Sequence, residues 1–184
     1  MPTHRGVYLA RHGQTAYNLE GRFQGQMAVP LDATGIAQAA NLAERASAYG
    51  FEALWCSPLL RARQTADVVA QRIGLKPRED ARLMETDAGD WTDLPFSEVQ
   101  AKTPDAFAGF AGGDPGFAFP GGESFAQQGV RVAAALQEIE QQELPALVVC
   151  HGGVIRIALF QRAGLTAALA ERLPNGALVP LDPL

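Results

Sequence analysis

The chain has 184 residues, a length that fits one domain and lets it bury roughly two thirds of its unfolded surface. Hydrophobic residues make up 47% and charged residues 19%, which excludes a disordered tail and a membrane bundle. Fifteen basic against twenty acidic residues leave a net charge of −5; that excludes a nucleic-acid binder working through bulk positive charge, so any bound anion is held by a few placed arginines.

Val7–Ala10 is a short apolar run ending at a turn signal, and it reads as a buried parallel strand, apolar on both faces. Asp32 is a good N-cap for a helix running to about Tyr49, with Gly50 as its stop. A second apolar run, Ala53–Cys56, precedes Ser57-Pro58, which reads as an N-cap followed by proline at the first helical position. The helix behind it places Ala62, Ala66, Val69, Ala70 and Ile73 on one face and stops at Gly74. From Thr86 to Gly122 the chain is rich in Gly and Pro and holds Trp91 with Phe96, Phe107, Phe110, Phe117 and Phe119. It shows one helical pattern, Ser97 to Lys102, and no strand. The stretch at about 86–122 is read as an insertion over one sheet edge, within a single domain spanning 1–184. Ser124 with Gln127 forms a capping box for a helix carrying Phe125, Gly129, Val132, Leu136 and Ile139 at helical spacing. Leu147–Cys150 is a third buried run, and Ala177–Leu181 is a candidate further strand. The alternation of strand and helix predicts an α/β fold, a three-layer α/β/α sandwich around a mostly parallel sheet.

Cys56 and Cys150 both end apolar runs, and two cysteines make neither a disulfide framework nor a zinc site. They read as buried thiols of a reducing compartment. Gly6 to Ala10 is too short for the apolar part of a signal peptide. The apolar region Ala146 to Phe160 is broken by His151 and Arg156, so it does not span a membrane. The expectation is a cytoplasmic protein with no membrane and no nucleic-acid partner.

Two of the three histidines, His12 and His151, sit just past the ends of predicted buried strands. That is where ligands bind in parallel sheets. Arg11 precedes His12. Gly152 and Gly153 follow His151 and let backbone N–H groups approach a ligand at a helix start. Arg61 lies in the first turn of the helix after Ser57-Pro58. Two histidines and two arginines are thus predicted at one rim. A divalent metal wants histidines with carboxylates and no nearby cation. Arginine's planar fork instead matches phosphate oxygens, so neither metal nor cofactor is called for. His4 is expected to be exposed and idle.

These residues carry a resemblance. Arg11-His12-Gly13-Gln14-Thr15 with Asn18 resembles the signature of the histidine phosphatase superfamily, the phosphoglycerate-mutase-like fold. Ser57 to Ala66, Leu83-Met84-Glu85 with Gly89-Asp90-Trp91, Pro120 to Ser124, and His151 to Arg156 resemble its later motifs, in order, across about Gly6 to Gly164. The resemblance implies that His12 is the nucleophile that becomes phosphohistidine. It implies that Arg11, Arg61 and His151 hold the phosphoryl oxygens. Glu85 would give a proton to the leaving oxygen and later take one from water, and Asn18 and Gln24 would lie beside the phosphate. The chemistry is self-consistent: covalent catalysis splits one hard displacement into two, and fixed cations stabilise charge spread over three oxygens. The family often has Glu-Gly after the tryptophan of its acidic motif, whereas this chain has Thr92-Asp93, which puts the local loop shape in question.

The implied activity is a phosphomonoester hydrolase of the small phosphatase branch, metal-independent and acting on a small-molecule phosphate. One alternative is a cofactor-dependent phosphoglycerate mutase, but the run Glu85-Thr86-Asp87-Ala88 lacks the basic and phenolic groups of that branch. A second is a cysteine-dependent phosphatase, because Cys150 to Arg156 fits a C-x₅-R spacing. A third is a phospho-ligand binding module on the same fold. Between Lys102 and Arg131 there is no Lys or Arg. If the insertion lines the pocket, the leaving group is expected to meet aromatic surface rather than positive charge. That leaves sugar phosphates, nucleotide-like esters such as an α-ribazole phosphate, and aromatic esters. Oligomeric state is not readable.

Overall fold

Successive residues of β1 (Val7–Arg11) point to opposite faces of the sheet, and Val7 to Ala10 are buried on both. The same holds for β2 (Ala53–Cys56) and β4 (Ala146–Cys150). Each face therefore needs its own cover of helices. In this computed structural model, which describes residues 5–164 and 173–182, the sheet has five strands in the order β3-β2-β4-β1-β5. β3 (Pro77–Glu79) and the three central strands run parallel; β5 (Leu178–Pro180) closes the other edge antiparallel to β1. The expected α/β/α layering is observed. His4 lies outside the described residues.

One face packs Tyr8, Ala10, Leu54, Leu147 and Val149 against α2 (Ala33–Ala46) and α3 (Leu60–Ile73), through Leu42, Ala43, Ala62, Ala66 and Val69. The other packs Val7, Leu9, Val148 and Cys150 against α6 (Phe125–Ile139) and α7 (Gly152–Ala163), through Val132, Leu136, Ile139, Val154 and Ile155. Asp32 caps α2 by accepting from the Gly35 N–H, and Ser124 with Gln127 forms the expected capping box on α6. α2 ends at Ala46, short of the expected Tyr49.

Three elements went unread in the sequence. α1 (Ala16–Glu20) is a single short helix behind a Thr15–Asn18 capping box. β3 is a partly exposed edge strand, without apolar periodicity. α5 (Pro104–Gly112) follows α4 (Phe96–Lys102) directly; its glycines hide a helix that Pro104 opens. The 86–122 stretch thus carries two helices and a third apolar cluster, in which Phe23, Trp91, Phe117, Phe119, Phe125 and Ile157 pack together. No helix among the described residues is long and apolar enough to cross a membrane.

Candidate active site

His12 follows β1 and is buried. Its Nδ1 lies 2.7 Å from the Gly13 carbonyl. A carbonyl only accepts, so Nδ1 carries the proton and Nε2 keeps the lone pair. Arg61 Nε donates to that Nε2 at 3.3 Å. Burial, then the charges of Arg61 and Arg11, hold the imidazole pKa well below its ordinary value; the ring is neutral at neutral pH. The loop after β1 is tightly seated. A Cβ on Gly13 would lie 2.3 Å from the Gly35 carbonyl oxygen, the Gly13 N–H donates to Thr65 Oγ1 at 3.1 Å, and Asn175 Nδ2 donates to the His12 carbonyl at 3.0 Å.

Arg61, on α3, is 1% exposed. It donates to the carbonyls of Met27 and Gly25 at 3.0 and 2.8 Å. Burial pushes its pKa down to about 10, which leaves it charged at neutral pH. Arg11 Nη1 donates to the Leu173 carbonyl at 2.6 Å. Its Nε is buried without a partner among the described residues, and a Cβ on Gly152 would lie 3.5 Å from that Nε. His151 is fully buried, its ring 5.2 Å from that of His12. Burial and Arg61 keep it neutral. Its Nε2 sits 2.8 Å from Ser57 Oγ, and its Nδ1 has no partner among the described residues. Ser57 is not the N-cap of α3; Leu59 holds that position, without a side-chain cap. The hydroxyl is engaged instead by the Leu59 N–H and His151.

Glu85 reaches the site from the loop after a 3-10 turn (Ala81–Leu83). Its Oε1 accepts from the Thr86 N–H at 2.9 Å and from Gln128 Nε2 at 3.3 Å. Its Oε2 accepts from the Gly153 N–H at 3.1 Å. A Cβ on Gly153 would lie 2.3 Å from Glu85 Oε1, so any larger residue there would displace the carboxylate. Thr86 Oγ1 donates to Gln128 Oε1 at 2.6 Å, which turns the amide nitrogen of Gln128 toward the carboxylate. Arg131 braces the loop from behind. It donates to the carbonyls of Arg82 and Met84 at 2.7 Å and of Glu85 at 3.2 Å, and pairs bidentately with Glu123.

Arg11, His12, Asn18, Gln24, Arg61, Glu85 and Gly152 all line one cavity of about 380 Å³. His151 is not among the lining residues, but its ring lies beside that of His12. Asn18 Oδ1 accepts from the Thr15 N–H at 3.1 Å, and Gln24 Oε1 accepts from Thr15 Oγ1 at 3.0 Å. Phe23, Phe96, Phe107, Phe110, Phe119 and Phe125 form the aromatic wall.

Two expectations are corrected here. Residues of the 102–131 interval line the cavity, but cations enter from elsewhere: Arg22, just after α1, and Arg156, on α7, also line it. Phe117 belongs to the aromatic core and not to the wall. The Cys150 phosphatase reading also fails. Cys150 is fully buried in β4 and lines no part of the cavity. Burial pushes its thiol pKa up. The Arg156 guanidinium lies 4.7 Å from the Phe125 ring centroid. Ser57, Thr65, Gln128, Arg131 and Asn175 were not read as site residues, because each acts through a partner far away in sequence.

A paired histidine and arginine site under an α/β/α sheet is a family-level pattern, and sequence comparison agrees. The profile of the histidine phosphatase superfamily (branch 1) matches residues 7–182. The chain belongs to the histidine phosphatase superfamily. It is 36% identical over 171 residues to the probable phosphoglycerate mutase GpmB of Yersinia pestis (strain Pestoides F), covering 91% of this chain and 79% of that protein. Among solved structures, it resembles a protein described as mycobacterial hydrolase 1, with TM-score 0.86 and 31% identity over 95% of this chain and 87% of the other. It also resembles a mycobacterial glucosyl-3-phosphoglycerate phosphatase, with TM-score 0.81 and 32% identity over 95% and 88% of the two chains. The phosphatase reading of the sequence stands: members act on small phosphorylated substrates through a phosphohistidine.

Proposed function

We propose that this histidine phosphatase is a metal-independent phosphomonoesterase that releases its product, with His12 as nucleophile and Glu85 as proton donor. The observation that carries this reading is the tautomer of His12: the ring is neutral, its Nδ1–H is spent on the Gly13 carbonyl, and its Nε2 keeps a lone pair whose one contact, the 3.3 Å hydrogen bond from Arg61 Nε, the phosphoryl group would replace. In the first step Nε2 forms a bond to phosphorus as the bond from phosphorus to the ester oxygen breaks. The Glu85 proton goes to that oxygen. Arg11 Nε, Arg61 and His151 Nδ1 take the phosphoryl oxygens, which supplies the charge stabilisation that metals give elsewhere. Ser57 Oγ donates a hydrogen bond to His151 Nε2 while keeping its proton, so that His151 carries its own proton on Nδ1 and donates from there. In the second step water attacks phosphorus and gives a proton to Glu85, and the bonding pair returns to Nε2. Asn18, Gln24 and Gly152 bound the phosphate. Two buried, unpaired thiols, Cys56 and Cys150, support a cytoplasmic setting.

The test is turnover of p-nitrophenyl phosphate in EDTA. His12→Ala is expected to abolish it and Cys150→Ser to retain most of it. Denaturing mass spectrometry of the wild type is expected to show an acid-labile phosphate on His12. Loss of activity on chelation, restored by a divalent metal, would overturn the reading. The similarity to a probable phosphoglycerate mutase keeps one second reading in view. Rapid interconversion of 3- and 2-phosphoglycerate would make the protein a mutase.

A further inference from the structure

Asp93 is the one non-glycine residue with positive φ among the described residues, at +69°. Few L-residues tolerate that region, and aspartate is one of them. Its surroundings explain why it stays. Tyr17 Oη donates to Asp93 Oδ1 at 2.6 Å, and Arg22 Nη2 donates to the same oxygen at 2.7 Å and to the Asp93 carbonyl. The backbones are stitched as well: Asp93 N–H to the Phe23 carbonyl at 2.9 Å, and Phe23 N–H to the Leu94 carbonyl at 3.0 Å. Arg22 lines the catalytic cavity, whereas Asp93 does not. A second carboxylate, Glu20, stands 3.8 Å from Arg22 Nε. Arg22, which lines the cavity, therefore has its guanidinium matched by carboxylates outside it.

We infer that Asp93 is a positioning residue for substrate choice: it pins Arg22 at the cavity and cancels its charge, so that phosphomonoesters with an uncharged leaving group are favoured. This rests on the phosphatase reading above. An anionic leaving group that approached Arg22 would meet the field of Asp93 as well, and would gain little from a cation already paired. A neutral hydroxylated group meets no such opposition, and its carbon skeleton packs against Phe23, Phe96 and Phe110.

The experiment compares kcat/KM for 3-phosphoglycerate and sn-glycerol 3-phosphate, which differ by carboxylate against hydroxymethyl. Asp93→Asn keeps a side chain that tolerates positive φ but removes the charge. It is expected to raise the ratio of the anionic to the neutral ester about fivefold at low salt, mainly through KM, with the gain shrinking as salt rises. Arg22→Gln, which leaves Asp93 unmatched, is expected to lower the same ratio. The double variant is expected to fall back to the wild-type ratio or below it. An unchanged ratio in Asp93→Asn and in Arg22→Gln, in a wild type that hydrolyses the neutral ester, overturns the inference alone. A wild type inactive on both esters and on p-nitrophenyl phosphate overturns the phosphatase reading instead.

Discussion

At Glu85 three donors converge on one carboxylate, and each comes from a different part of the chain: Thr86 beside it, Gln128 on α6 and Gly153 at the start of α7. A proton donor is useful only if it is aimed at the departing oxygen. Glu85→Gln is expected to slow phosphoryl transfer from alkyl esters by ~10²–10⁴ and from p-nitrophenyl phosphate far less, because p-nitrophenolate leaves without a proton. Gln128→Leu is expected to act in the same direction by about tenfold, and to cost about 1–3 kcal/mol of stability by stranding the Thr86 hydroxyl. Single-turnover rates on the two substrate types check both. Equal losses on both would show that Glu85 is not the acid.

The helices α4 and α5 and the loops around them line the cavity with some aromatic residues and pack the core with others. Phe107 and Phe110 are partly buried and line the cavity, whereas Phe117 is 7% exposed and packs on Trp91, Phe119 and Phe125. Removing a buried phenyl ring leaves a void that closes only in part. Phe117→Ala is expected to lower stability by about 3 kcal/mol with little change in substrate ranking. Phe107→Ala is expected to change KM while losing less stability. Denaturant titration with steady-state kinetics separates the two. Comparable stability losses with unaltered KM would place Phe107 in the core as well.

Over the whole molecule, the burial that keeps the two histidines neutral is also expected to make the protein acid-sensitive. Burial and the neighbouring arginines hold the pKa of both His12 and His151 well below 6.5. Below that value the unfolded chain binds protons that the native chain refuses, so protonation draws the equilibrium toward unfolding. Stability is complete above the unfolded pKa and falls as the pH drops below it. Each histidine contributes about 1.4 kcal/mol per pH unit until the native ring protonates. Melting temperatures from pH 7.5 to 5 are expected to fall less steeply in His151→Asn than in the wild type. Identical slopes would mean that the rings titrate normally in the folded state.

The sequence by itself determined the three central strands, α2, α6 and most of α3, because apolar runs and caps are local and need no partner to be recognised. It also singled out His12, Arg11, Arg61, Glu85 and His151 as candidates, since the motifs that contain them are short and ordered along the chain. The tertiary structure decided the rest. β3 is an exposed edge strand with no periodic pattern, and α1 is too short to leave one. Ser57 obeyed a tertiary demand over a local one: its hydroxyl serves His151, 94 residues away, rather than capping α3. Asp93 stands where the family often carries glycine, and only the fold shows that Tyr17 and Arg22 hold it there. Arg131 and Asn175 follow the same rule. Each satisfies backbone carbonyls that folding brings to it from 46 to 163 residues away, and a hydrogen bond across that separation leaves no periodicity or composition signal in the chain.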